Sequence, residues 1–210
     1  MFVYPAILTD KKEELKRMLK IAEAFCKNVH IDITDGAFVP SKSISYDDLV
    51  ETNLFMEIHL MVSSPIDYVE GFKKRGAKRI IFHIESNDSP EKTIEKIKDE
   101  GLEVGISLNP ETPILKIEPL FKKIDLVLIM SVVPGFYGSQ FIPDVLLKAK
   151  EIKEKKPDLY LEMDGGIKLS NISLIKEAGV NIAAVGSEIF KSENPSSVFE
   201  KLLALSHKNP

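Results

Sequence analysis

Histidine and aspartate residues alternate with apolar residues in three short runs of the sequence. His30 and Asp32 lie in the first run, His59 lies in the second and Asp164 in the third. Imidazole nitrogens and carboxylate oxygens are the ligands that Zn, Fe, Mn or Co accept in proteins. Buried His and Asp side chains also pair with one another for purely structural reasons. The four residues therefore predict a divalent-metal site only if the fold brings them together.

The alternation itself predicts strands with one apolar and one polar face. In the run Asn28 to Thr34, side chains on alternate residues point to opposite sides. We expect Val29, Ile31 and Ile33 to face surrounding helices, and the polar residues to face the other way. The members of the three runs predicted to share the inner face are His30, Asp32 and Thr34, then Glu57, His59 and Met61, then Glu162 and Asp164.

Short apolar runs alternate with lysine- and glutamate-rich segments along the whole chain, which is typical of successive βα units with a parallel sheet. Eight such units in 210 residues predict a single (β/α)8 TIM barrel domain spanning residues 1–210, since a closed barrel leaves no strand edge to protect. The predicted strands lie near 3–8, 28–34, 54–61, 78–84, 102–108, 124–131, 158–163 and 181–186, and the predicted helices over 9–27, 65–75, 89–100, 142–156, 170–178 and 195–206.

In such a barrel, function lies at the carboxyl ends of the strands. Three predicted strands bring His30, Asp32, His59 and Asp164 to that mouth. Taken singly, each residue favours a structural role, because buried charges are usually paired. Four ligand-type residues at one mouth favour a metal site.

Three glycine-containing loops follow the last three predicted strands. Glycine lets backbone N–H groups approach an anion closely, and a short helix beginning at Ser187 would point its positive end to the same place. Barrels often bind phosphate with the loops after strands seven and eight and a short extra helix. The predicted phosphate-binding residues are Gly135, Phe136, Tyr137, Gly138, Gly165, Gly166, Gly186 and Ser187.

Composition excludes several classes of protein. The formal net charge is −4 and no basic run occurs, which argues against a nucleic-acid partner. A single cysteine, Cys26, excludes an internal disulfide framework and a cysteine-rich zinc module. No apolar run reaches the length of a bilayer span, and the start lacks a signal-peptide pattern, so we expect a cytoplasmic protein without a membrane partner.

The remaining reactive residues have weaker patterns. His83 and Glu85 share one face of a strand and fit either a pair supporting the metal ligands or ordinary core hydrogen bonding, with the second favoured. Cys26 is expected to be a small core residue, and His207 to be solvated. Aldol or decarboxylase chemistry typically needs a lysine at an inner strand end. Lys168 lies beyond the glycine pair and no inner strand position carries a lysine, which argues against this chemistry.

With these motifs the chain resembles the ribulose-phosphate 3-epimerase family from Pro5 to about Phe190. The resemblance implies a metal-dependent barrel that epimerises carbon 3 of a ketose phosphate, above all D-ribulose 5-phosphate to D-xylulose 5-phosphate. It also implies a homo-oligomer. The matching segments are PAIL, HIDITDGAFVP, IHLMV, HIE, LNPETP, DLVLIMSVVPGF, QFIP, EMDGGI and VGSEIF.

The resemblance also assigns roles to residues of this chain. Asp32 and Asp164 align with the two acid/base carboxylates, which would act on opposite faces of an enediolate stabilised by the metal. The four predicted ligands align with the family's metal ligands, and His59 and Asp164 also with substrate contacts. The glycine loops align with the phosphate site. The positions that align with the reaction chamber are Ala6, Thr34, Met61 and Met130.

Five positions depart from the family's usual residues. The family usually has Ser at Ala6, Met at Thr34, His at Ala37, Asn at Val133 and Gly at Tyr137. These changes leave the proton-transfer residues in place and leave two alternatives open. One is a hexulose (allulose) 6-phosphate 3-epimerase, and the other is a non-catalytic phosphosugar-binding paralogue.

Overall fold

Eight parallel strands close into a barrel in this computed structural model, which describes residues 1–135 and 138–207. Each strand pairs with the next along the chain, and β8 pairs with β1. The predicted (β/α)8 barrel is confirmed. The strands are β1 (Phe2–Ile7), β2 (Asn28–Thr34), β3 (Phe55–Met61), β4 (Arg79–His83), β5 (Glu103–Leu108), β6 (Leu126–Met130), β7 (Tyr160–Asp164) and β8 (Ile182–Val185).

Helices surround the barrel, although not every strand is followed by one. In place of an α-helix, β2 is followed by a 3-10 turn at Tyr46–Asp48, and β5 by two such turns, Ile114–Lys116 and Glu118–Leu120. Three prolines at 110, 113 and 119 interrupt helical hydrogen bonding after β5. The helices are α1 (Lys12–Glu23), α2 (Ile66–Lys74), α3 (Pro90–Asp99), α4 (Val145–Lys155), α5 (Ile172–Glu177), α6 (Ser187–Phe190) and α7 (Pro195–His207).

None of these helices combines the length and the apolar character needed to cross a bilayer, over the part of the chain that the structure describes.

Two apolar clusters lie on the two sides of the strands. The outer cluster fills the space between strands and helices and includes Val29, Ile31 and Ile33, as the alternation predicted. A smaller cluster lies inside the barrel, and we call it the inner apolar cluster. Its members are Tyr4, Ile81, Leu126, Leu128, Met130, Val132 and Ile182.

Strand register sets which polar side chains become neighbours inside the barrel. His30 pairs with Glu57, and Asp32 pairs with His59. On the other side of β3, Glu57 pairs with Arg79 of β4. The register therefore places the predicted ligands of β2 and β3 side by side, with further charged residues one layer deeper.

Candidate active site

The four predicted metal ligands come together at the carboxyl ends of β2, β3 and β7. Each offers a nitrogen or oxygen atom, and these atoms all lie within 4.8 Å of one another. Asp32 Oδ1 lies 2.9 Å from His59 Nδ1 and 3.2 Å from His30 Nε2. Both histidines are 0% exposed, and the two aspartates are 6% and 9% exposed. Two nitrogens and two oxygens converging in this way fit a divalent ion of the Zn, Fe, Mn or Co type.

A second layer of charged residues lies directly beneath His30. Its Nδ1 is 2.8 Å from Glu57 Oε1 and 3.0 Å from Glu162 Oε1. The Arg79 guanidinium pairs with Glu57 at the same depth and with Glu103 at the barrel's other end. Glu57 and Glu162 thus face inward as predicted, where Glu57 hydrogen-bonds the His30 ring and Glu162 lies within ion-pair distance of the same nitrogen.

Charge balance separates the titrations of these two glutamates. Burial raises the pKa of Glu57, but hydrogen bonding to His30 and the charges of His30 and Arg79 outweigh it and lower that pKa to about 2. Burial and the negative charge of Glu57 together raise the pKa of Glu162 well above its usual range. The pKa values of the two carboxyl groups beneath His30 thus shift in opposite directions.

The two predicted acid/base carboxylates also titrate differently. For Asp32, burial is outweighed by the charge of His30 and by the hydrogen bond between the two side chains, so its pKa falls below the usual range. For Asp164, burial and the negative charge of Asp32 raise the pKa to about 7. Environments that push two carboxyl pKa values apart are typical of acid/base pairs.

The pKa values of the two candidate ligand histidines also shift in opposite directions. Burial lowers the pKa of His59 to about 4. Burial also acts on His30, but the charge of Asp32 and hydrogen bonds to Asp32, Glu162 and Glu57 raise its pKa well above the usual range.

His83 joins this site, which the sequence alone did not favour. Its Nε2 lies 2.9 Å from Nε2 of His59, and its Nδ1 lies 3.1 Å from Glu85 Oε2. The two imidazole rings stack with their centroids 5.0 Å apart. Core hydrogen bonding was the favoured interpretation of His83, and the contact with His59 supports the alternative. We call the following set the polar cluster: His30, Asp32, Glu57, His59, Arg79, His83, Glu162 and Asp164.

A small cavity of about 50 Å³ opens above the predicted ligands. Asp32 and Asp164 reach it, while the fully buried His30 and His59 lie beneath its floor. Ala6, Met61 and Met130 line it as predicted chamber residues. Thr34 does not line it; its hydroxyl lies 3.4 Å from Ser41 Oγ. The predicted phosphate-binding residues along the cavity are Gly135, Gly138, Gly165, Gly166, Gly186 and Ser187.

The glycine pair after β7 is required by close packing of neighbouring loops. Gly166 has φ +63, and a Cβ built there would lie 2.6 Å from the backbone nitrogen of Phe141. A Cβ on Gly165 would lie 2.5 Å from the Val132 side chain. The loops after β6 and β7 therefore touch across the cavity edge. Phe136 and Tyr137, which the sequence also placed in this phosphate-binding set, lie outside the described residues.

Cys26, His207 and Lys168, whose sequence patterns offer little indication of a functional role, do not line the cavity. The Cys26 thiol donates to Ala22 O and Asn28 O, and burial raises its pKa to about 11. His207 and Lys168 are exposed. Among the described residues, no lysine is buried, so the inner strand positions offer no amine for Schiff-base chemistry.

Comparisons with known proteins identify one enzyme family. A model of the ribulose-phosphate 3 epimerase family matches residues 2–190. A ribulose-phosphate 3-epimerase of Bacillus subtilis is 39% identical, over 94% of this chain and 96% of its own length. The cytoplasmic isoform from Oryza sativa is 38% identical, over 90% of this chain and 85% of its own.

Solved structures match the fold across the whole barrel. A 3-hexulose-6-phosphate synthase has a TM-score of 0.70 at 15% identity and covers 98% of this chain and 99% of that one. A phosphoribosyl anthranilate isomerase from Thermococcus kodakaraensis has a TM-score of 0.68, also at 15% identity, covering 99% of each chain. At these identities the likeness concerns the fold alone.

Proposed function

Since the chain belongs to the ribulose-phosphate 3-epimerase family and is thereby an epimerase of the isomerase class, we propose that it interconverts D-ribulose 5-phosphate and D-xylulose 5-phosphate. The observation that carries the proposal is the placement of two carboxylates at one cavity. Asp32 and Asp164 project from β2 and β7, three strand positions apart around the barrel. Inverting a carbon centre requires a proton acceptor on one face and a donor on the other.

In the forward direction, Asp32 takes the proton from carbon 3 of the ketose. This leaves a planar enediolate, and Asp164 returns a proton to the opposite face. The two aspartates exchange roles in the reverse direction. Asp32 and Asp164 reach the cavity from different strands, so a sugar whose plane stands between the two carboxylates would present one face to each.

His30, Asp32, His59 and Asp164 would hold one divalent metal ion, and their donor atoms fit Zn, Fe, Mn or Co. When bound, such an ion supplies positive charge that stabilises the negative oxygens of the enediolate. Glu57 and Glu162 orient His30 so that its Nε2 points toward this set. Carboxylates beneath a ligand histidine fix its ring and raise its basicity as a ligand.

The substrate phosphate would lie against the glycine loops at the edge of the same cavity. Gly166 and Gly186 bring main chain to the cavity wall, and α6 begins at Ser187. Backbone N–H groups can hold an anion without a buried lysine or arginine. On the sugar side, Ala6, Met61 and Met130 form an apolar wall that limits access of water to the enediolate.

Substrate choice is tested by a panel of ketose phosphates assayed with several divalent metals. We expect the highest kcat/KM for D-ribulose 5-phosphate. A preference for D-allulose 6-phosphate would replace the pentose assignment by the hexulose one. A protein that binds both metal and phosphosugar but turns over none of the panel would be the non-catalytic paralogue.

The Ala6→Ser variant serves as the matched specificity control. Ala6 lines the cavity, and serine would restore the hydroxyl usual in the family at this position. If the substrate is D-ribulose 5-phosphate, we expect this variant to have a lower KM for it.

A homo-oligomer and a cytoplasmic location stay predictions. Light scattering of the purified protein tests the oligomeric state.

A further inference from the structure

Glu85 is held as a carboxylate by donors on three sides. Its Oε1 accepts a hydrogen bond of 2.9 Å from the backbone N–H of Asn109. Thr112 and His83 supply the other donors. Burial raises the pKa of Glu85, but these hydrogen bonds outweigh it and lower that pKa to about 2. Because an ionised carboxylate only accepts, the proton in the contact with His83 is on the Nδ1 of His83.

His83 then fixes the direction of the next hydrogen bond. A neutral imidazole carries a proton on one nitrogen and a lone pair on the other. With Nδ1 protonated, Nε2 of His83 is an acceptor. The atom facing it at 2.9 Å is Nε2 of His59, which must therefore donate. If it did not, two lone pairs would face each other at hydrogen-bond distance.

Packing holds the His83 ring in the orientation that this chain of hydrogen bonds needs. The His83 ring stacks on His59, and it also packs against Phe38, with the centroids of the His83 and Phe38 rings 4.9 Å apart. His83 is 0% exposed, so water does not compete for either nitrogen. The contact pattern therefore reflects a fixed ring rather than a freely rotating surface side chain.

We propose that His83 and Glu85 are positioning residues that keep the proton of His59 on Nε2, so that Nδ1 of His59 is presented as a metal ligand. The proposal rests on the metal site of the proposed function and extends it to two residues outside the ligand set. Hydrogen bonds of this kind fix the tautomer of ligand histidines in metalloproteins.

The other side of His59 agrees with this assignment. Its bare Nδ1 lies 2.9 Å from Asp32 Oδ1, which also carries lone pairs. Two acceptors at this distance are compatible when a cation lies near both. The nitrogen that these hydrogen bonds leave unprotonated is thus the one that faces Asp32, a member of the four-residue set.

The first test measures Zn²⁺ affinity by competition with a chelator. His83→Phe keeps a ring of similar size between His59 and Phe38 but removes the acceptor, and we expect the affinity to fall by about 10- to 100-fold. His83→Gln should recover most of it, because its amide oxygen accepts from His59 and its NH₂ donates to Glu85. His207→Phe, on an exposed residue of α7, is the matched control and should bind as wild type.

The second test locates the protons in wild-type protein, so it does not depend on any variant folding. In Zn²⁺-loaded protein with ¹⁵N-labelled histidine, we expect NMR to find His83 protonated on Nδ1 and a hydrogen bond from His59 Nε2–H to His83 Nε2. A proton on Nε2 of His83 would overturn the proposal. So would a folded His83→Phe variant that binds Zn²⁺ as tightly as wild type.

Neither readout requires turnover, so the two proposals fail separately. A zinc-binding wild type that shows the predicted protons but epimerises no ketose phosphate would refute the proposed function alone. An active wild type with the opposite His83 tautomer would refute the positioning role alone.

Discussion

The polar cluster and the inner apolar cluster share the inside of one barrel but are held by different forces. Strands β2, β3, β4 and β7 carry the polar cluster, in which successive contacts are hydrogen bonds or ion pairs. The inner apolar cluster is carried mainly by β1, β6 and β8 and contains apolar side chains and one tyrosine. Because β7 lies between β6 and β8, the two clusters are neighbours inside the barrel and do not occupy separate halves of it.

This difference decides how each cluster responds to substitution. Apolar contacts are non-directional, so removing one side chain there costs transfer free energy and leaves a cavity. In the polar cluster directional hydrogen bonds and ion pairs join particular partners, and removing one partner leaves the other unpaired. We therefore expect changes in the polar cluster to alter catalysis, metal binding or stability, and changes at members of the inner apolar cluster that do not line the cavity to alter stability alone.

The largest effect is expected for Asp32→Asn, which removes the proton acceptor while keeping its shape. We expect kcat to fall by about 10²- to 10⁴-fold, the usual contribution of a positioned acid or base. Circular dichroism should show an intact barrel. Asp10→Asn, on an exposed residue, is the control and should keep normal turnover. An Asp32→Asn enzyme with near-normal kcat would remove Asp32 from the acid/base role.

Next in size is Arg79→Met, which leaves the Glu57 carboxylate buried without its guanidinium. Glu57 is 0% exposed, and breaking such a buried ion pair typically costs about 3–5 kcal/mol of unfolding free energy. The control Glu103→Gln removes the half-exposed partner of the same arginine and should cost less than about 1 kcal/mol. Urea unfolding measures both, and equal losses would contradict the distinction between the buried and the exposed partner.

Leu128→Ala tests the inner apolar cluster. The side chain is fully buried inside the barrel, and its truncation should lower the unfolding free energy by about 2–5 kcal/mol. Zn²⁺ affinity measured in the folded variant should equal that of wild type. A variant that loses metal affinity in step with stability would show that the two clusters are coupled.

The smallest effect on stability is expected for Gly166→Ala. A left-handed backbone at a non-glycine residue costs about 1–3 kcal/mol, and here the Cβ would also press on the Phe141 backbone. The KM for the phosphosugar should rise because the loops after β6 and β7 move apart. Gly101→Ala, with φ +68 but no contact closer than 3.9 Å, should show the strain without the KM change.

Alternation along the strands was enough to predict which residues face inward. Val29, Ile31 and Ile33 lie in the outer cluster, and His30 and Asp32 lie inside, as the two-residue period of a strand requires. Closure of eight strands then brought residues from β2, β3 and β7 to one mouth. The fold and the placement of the four candidate ligands were therefore predictable from the local pattern of residues combined with one topological assumption.

Register between strands could not be predicted in this way. The contact of His83 with His59 depends on how far β4 is shifted along β3, which places Ile81 beside His59 and His83 one layer higher. The same shift places Arg79 beside Glu57, an ion pair for which the sequence offers no signal. No helix was predicted after β2 or β5, and the 3-10 turns found there were missed because three residues are too few to produce a periodic apolar pattern.

The most direct measurement is solvent-deuterium incorporation at carbon 3 of D-ribulose 5-phosphate. Protein loaded with a divalent metal should exchange this hydrogen, and the exchange should disappear after chelation and in Asp32→Asn. Absence of exchange by metal-loaded wild-type protein, with both D-ribulose 5-phosphate and D-allulose 6-phosphate, would contradict the assignment as a metal-dependent ketose-phosphate 3-epimerase.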